Sequence, residues 1–265
     1  MCSLKHMSKN ILGLETLRKI YMKRNNWQGH ILVALTGLML GMSASAQELN
    51  ITKVTTYRVK PDRTADFQAE IKEYVAVIKK ANASHAYTMW SSLTGTTEFY
   101  RVDEYAKYAE LDITEDPKLK DVSADLARIG LRITDCADNI DRVYYRQRGD
   151  LSMPATPEIP KMVRVLKVKV QPDKMDAYIA MKKEYIGLAK KSPPKFLSVL
   201  QGRFGASSWE FLTLEGLNSW ADLDVPEPAD DPARKFNFST TQTERQYDII
   251  RFRPELSYFP VTSTK

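Results

Sequence analysis

Cysteine and histidine are almost missing from this chain, with two of the first and three of the second in 265 residues. Past residue 46 only Cys136 and His85 remain. No intrachain disulfide can form there, and no Cys/His spacing suits a zinc site. Glycine is sparse too, and its eleven residues build no Walker loop, dinucleotide fingerprint or G-x-S-x-G elbow. The apolar run Ile31–Met42 is twelve residues long, too short to cross a hydrocarbon layer of about 30 Å. The net charge of +6 is also less than it looks. Residues 1–46 carry six basic residues and one acid, which leaves 33 basic and 32 acidic residues beyond them. A balance so near neutral leaves no nucleic-acid footprint.

The first 46 residues read as a leader. "MKRNNWQGH" (Met22–His30) is a charged n-region, followed by the apolar run and then by Ala44-Ser45-Ala46. That order predicts cleavage before Gln47 and a periplasmic or secreted product, with Met22 an alternative start and no membrane association after cleavage.

The remainder repeats itself. Pro61–Lys80 and Pro172–Lys191, 111 residues apart, agree at eight of twenty positions, among them the Lys-Glu-Tyr of 72–74 and 183–185. "TEFYRVDEYAKYAELD" (Thr97–Asp112) answers "WEFLTLEGLNSWADLD" (Trp209–Asp224), and "RQRGDLS" (Arg146–Ser152) answers "RFRPELS" (Arg251–Ser257). The three prolines of residues 153–161 read as an extended linker. The chain therefore reads as unit 1 (47–152), linker (153–161) and unit 2 (162–265). Each unit opens with an alternating strand, passes through Pro-Asp into a helix, and continues with two strands, helical pieces and a closing strand. The expected class is α+β: two tandem ferredoxin-like β-α-β-β-α-β units forming one intramolecular barrel.

In element order and duplication the chain resembles the dimeric α+β barrel superfamily, which contains the antibiotic-biosynthesis-monooxygenase-like domains. The resemblance implies two sheets closed into a shared barrel with helices outside. It leaves function open, because that superfamily spans oxygenases, isomerases and haem enzymes. The Asn, Trp and His used by its haem-degrading branch have no residue-by-residue match here.

Strand parity supplies the binding candidates. Arg58, Arg101 and Arg146 in unit 1, with Lys167, Lys169 and Arg251 in unit 2, are expected to gather on the barrel-facing side and hold an anionic ligand. On the same parity argument Glu98 and Glu210 fall on the opposite face. His85, Trp90 and Tyr74 are the catalytic candidates, and no metal site is expected. Three readings follow. The first is a non-catalytic binding protein for an anionic or aromatic small molecule. The second is a monooxygenase-like enzyme, cofactor-free or haem-dependent. The third is a structural or interaction protein with a packed barrel and no small-molecule site. Self-association through the barrel edges is a separate expectation.

Overall fold

Two stretches of alternating β-branched residues, Ile51–Val59 (β1) and Met162–Val170 (β5), form the central strands of the two halves of the sheet. The computed structural model describes residues 50–112, 116–153, 158–190, 196–224 and 238–260. The expected leader (1–46) and the middle of the expected linker (154–157) lie outside these residues. After β1 and β5, Pro61 and Pro172 each open a single 3-10 turn that leads into a helix. The fixed φ of proline suits a helix start, where its missing N–H costs nothing. The helices are α1 (Thr64–Lys80) and α3 (Met175–Ala189); α2 (Ser123–Asp135) follows a further 3-10 turn.

The other strands are β2 (Thr88–Ser92), β3 (Glu98–Tyr105), β4 (Ala137–Gln147), β6 (Leu197–Phe204), β7 (Glu210–Leu217) and β8 (Gln242–Phe252). All eight close into one antiparallel barrel in the order β1-β3-β2-β8-β5-β7-β6-β4, so every strand has two neighbours. The order β4-β1-β3-β2 recurs as β8-β5-β7-β6. Two short seams join the sets: Trp90 to Ser92 pairs with Phe252 to Ile250, and Tyr144 to Gln147 pairs with Phe204 to Leu200.

Parity divides the side chains between two environments. On the outer face, Val59, Met89 and Phe99 pack under Phe67 and Ile71 of α1, and Val168, Val199 and Phe211 pack under Tyr178 and Ile186 of α3. The inner face holds a smaller apolar plug of Trp90, Val163 and Ile250.

The segments after β4 and β8 each reach across to the opposite set. Arg148 donates its backbone N–H to Val199 O, and Val199 donates in turn to Ser152 Oγ. Arg253 donates likewise to Met89 O, and Met89 to Ser257 Oγ. Leu151 is thereby buried in the α3 core and Leu256 in the α1 core, both with no exposed surface. The repeated "R…LS" ends are thus reciprocal clasps.

One turn depends on glycine. Gly205 follows β6 at φ +76°, and a Cβ there would meet Arg142 O at 2.6 Å. Gly205→Ala should cost at least about 1–2 kcal/mol from the left-handed backbone alone. Urea titration checks this, with a lower midpoint at an unchanged slope as the expected result.

Candidate functional site

Strand β3 places Phe99, Arg101, Asp103 and Tyr105 on one face. Phe99 packs under α1, so this is the outer, helix-facing side. Arg101 shares this face with Phe99, and so does not point to the barrel interior as strand parity predicts. The register confirms the correction: Arg101 sits opposite Thr55, and Asp103 opposite Lys53.

At the centre is Asp103, with only 1 % of its side chain exposed. Arg101 grips it through Nε at 3.1 Å to both oxygens and through Nη2 at 2.8 Å to Oδ1. Lys53 Nζ lies 3.8 Å from Oδ2, and His85 Nε2 3.4 Å from Oδ1. Burial alone would push the Asp103 carboxyl up, but His85, Arg101 and Lys53 outweigh it and hold it below the ordinary carboxylate range. Burial would likewise depress the Arg101 guanidinium, yet Asp103 and the surrounding phenols keep it above its usual value. Lys53 moves the other way. Burial, aided by the charges of Arg101 and Arg142 and opposed by Asp103, lowers its ammonium.

Aromatic rings enclose these charges. The Arg101 guanidinium carbon is 4.0 Å from the centroid of the Tyr87 ring and 5.9 Å from that of Tyr74, a cation–π arrangement. His85 stacks on Tyr105 with centroids 4.7 Å apart and planes at 16°. Burial raises the Tyr105 phenol to about 12 and pushes Tyr57 and Tyr87 up as well, so these hydroxyls remain protonated. Tyr87 is buried, and its hydroxyl has no hydrogen-bond partner among the described residues. His85 keeps 39 % of its side chain exposed and connects the buried charges to solvent.

Of the catalytic candidates, His85 and Tyr74 belong to this cluster. Trp90 does not: it lies in the barrel plug on the other side of the sheet, against Phe252 at 5.1 Å.

Of the binding candidates, only Arg101 joins it directly. Arg146 is on the outer face too, opposite Ile51, one strand further across. Arg58, Lys167 and Lys169 do face inward, but at the strand ends, where about half of each side chain meets water. The acids expected on the opposite face pair with them there: Glu98 with Arg58 at 3.1 Å and Glu210 with Lys167 at 3.1 Å. Lys167 and Lys169 border a depression of about 350 Å³ with Glu244, Arg245 and Gln246. Arg251, adjacent to the inward Ile250 on β8, points outward and is exposed. The barrel therefore does not collect the predicted cations, because the third and fourth strands carry theirs on the outer face.

The matching layer beneath α3 differs. Thr213 stands opposite Leu166 as Arg101 stands opposite Thr55. The buried cation there is Lys182, donated from the helix and bonded to Thr213 Oγ1 at 2.9 Å. Among the described residues no group of three or more His, Cys, Asp or Glu is arranged to hold a metal ion.

No protein-family model and no curated protein matches this sequence. Solved structures do resemble it. A monooxygenase candidate from Lactobacillus acidophilus NCFM superposes with TM-score 0.55 at 10 % identity, covering 77 % of this chain and 94 % of that one. An anthrone oxidase-like protein gives 0.54 at 15 % identity, covering 79 % and 93 %. A variant chlorite dismutase from Candidatus Nitrospira defluvii gives 0.53 at 9 %, covering 78 % and 92 %. The shared feature is the α+β barrel fold. This chain has that fold.

Proposed function

We propose that the protein is a monooxygenase-like enzyme that oxidises an acidic methylene or phenolic aromatic of the anthrone type in the layer between α1 and the outer face of β1 and β3. The observation that carries this reading is the His85–Asp103–Arg101 constellation. It sets a partly exposed imidazole beside a buried carboxylate, with two cations, inside a ring of tyrosines. The monooxygenase and anthrone oxidase-like neighbours support it by fold.

In this proposal Asp103 orients the imidazole by facing Nε2–H, leaving Nδ1 as the base. Nδ1 takes a proton from the activated methylene, and Lys53 and the free edge of Arg101 stabilise the enolate oxygen that results. The enolate supplies its own electrons to dioxygen. A hydroperoxide forms at the carbon and then loses water, so one oxygen atom ends as the new carbonyl and the other as water with both methylene hydrogens. Anthrone plus O2 gives anthraquinone plus water, balanced without an outside reductant. A haem, the other option for such folds, does not fit these residues. His85 turns Nε2 to Asp103, and Tyr105 covers its ring face.

The same proposal takes the two strand sets as tandem ferredoxin-like units derived by duplication, supported by their identical strand order and their mirrored clasps. It includes export, supported by the leader's n-region, apolar run and Ala44-Ser45-Ala46.

Oxygen uptake with anthrone as substrate tests the reading. One O2 should disappear per anthraquinone formed. His85→Ala should slow kcat by about 10²–10⁴-fold, the usual worth of a positioned base. An unchanged rate in His85→Ala, or no uptake above buffer with wild-type protein, would overturn it.

A further inference from the structure

The outer face continues past the His85 cluster onto β4, where Arg142, Tyr144 and Arg146 alternate on the same side as Thr55, Lys53 and Ile51. Tyr144 in turn meets Phe204 of β6 at 6.3 Å between centroids, and Phe204 meets Tyr108 at 5.9 Å. Phe204 is 59 % exposed, so this aromatic floor is open to solvent.

The charges on this floor are unbalanced. Arg142 and Arg146 make no ion pair with any described residue, whereas the strand arginines Arg58, Arg101 and Arg164 each face a carboxylate. Asp150 is the acid that Arg146 senses, but Arg148 holds it at 2.8 Å and Lys183 at 3.6 Å. Burial, and after it the charges of Arg203 and Arg148, draw the Arg146 guanidinium below its usual value. A half-buried guanidinium next to like charges is costly unless an anion arrives.

Resting on the function proposed above, we infer that the substrate is a two-ring or larger aromatic carrying an anionic group such as a carboxylate at the end remote from the reacting carbon, received by Arg142 and Arg146 over the Tyr144–Phe204 floor. Tyr105, Ile51 and Arg146 lie in one row across β3, β1 and β4. Neighbouring strands are about 4.8 Å apart, so the arginine begins about 10 Å from Tyr105. That span matches a naphthalene with a substituent at each end. The row also explains why the sheet carries Lys53, Arg101, Arg142 and Arg146 against the single carboxylate of Asp103.

Titration of the full chain with 6-hydroxy-2-naphthoate and with 2-naphthol, followed by calorimetry and by the His85 imidazole resonances, decides this. The naphthoate should bind at least about tenfold more tightly, the worth of one charge-assisted contact. Arg142→Gln with Arg146→Gln should erase that advantage while 2-naphthol affinity stays constant, which also shows that the variant is folded. Equal affinities for the two ligands, or an advantage that survives both substitutions, would overturn the inference and leave the proposed site standing. If neither ligand shifts the His85 resonances, both proposals fail.

Discussion

Asp103→Ala should destabilise the protein by about 3 kcal/mol, because it strands a guanidinium that the fold keeps largely out of water. Breaking a buried pair by removing one partner costs about 3–5 kcal/mol. The low end applies here because 24 % of the Arg101 side chain still reaches solvent. For a domain of this size each kcal/mol moves Tm by about 2–4 °C, so thermal melts should fall by roughly 6–12 °C. Replacing both partners by apolar residues should recover much of that loss, since the cost lies in the orphaned charge and not in the missing attraction. The pH dependence has a defined sign. The folded-state pKa of Asp103 lies below its unfolded value. Its contribution is therefore complete above the unfolded carboxylate value of about 4 and is lost as pH falls through the lower folded value. Urea midpoints of wild type and Asp103→Asn should differ by a constant amount at neutral pH and converge below about pH 4. A gap that persists unchanged into acid would show that the carboxylate is not held by these partners.

The second large effect is expected at the clasps. Leu256→Ala removes a fully buried side chain from the core beneath α1 although the residue belongs to the segment after β8, and Leu151→Ala does the same beneath α3. Each should cost about 2–5 kcal/mol, the range for a Leu whose cavity cannot collapse. Each variant should also speed hydrogen exchange at the seam it closes. For Leu256 that seam is β2–β8, where the register covers only Trp90 to Ser92. A loss of protection at Trp90 and Ser91 larger than that across β1–β3 is the expected pattern. Uniform loss across the whole barrel would mean that the clasp acts only through global stability.

Much of this architecture was legible in the sequence because repetition and alternation are local signals. The Pro-Asp starts, the helices that follow them and the alternation of β1 and β5 all correspond to elements observed. The site was harder to read because it depends on which face of a strand meets the helices, and β3 is charged on both. Glu98, Tyr100 and Val102 alternate with Phe99, Arg101 and Asp103, so charge alone does not choose a side. Phe99 does choose: a large apolar residue at the start of that row belongs under a helix, and Arg101, Asp103 and Tyr105 follow it at steps of two. Asp103, Lys53 and Tyr105 were missed for that reason. The repeated "R…LS" was visible as recurrence, but its role as a crossing clasp needs tertiary contacts between residues more than a hundred positions apart, as in Met89 with Ser257. The Lys182 replacement beneath α3 was also hidden, because its partner Thr213 lies on another element.

The central claim is positional: chemistry occurs on the outer face beneath α1, not inside the barrel. A crystal structure with 1,8-dihydroxyanthrone bound tests it most directly. The ligand should lie against His85 and Tyr105 with an oxygen directed at Lys53 or Arg101. Density for it at the barrel end beside Lys167 and Lys169, with the His85 layer unchanged, would contradict the account.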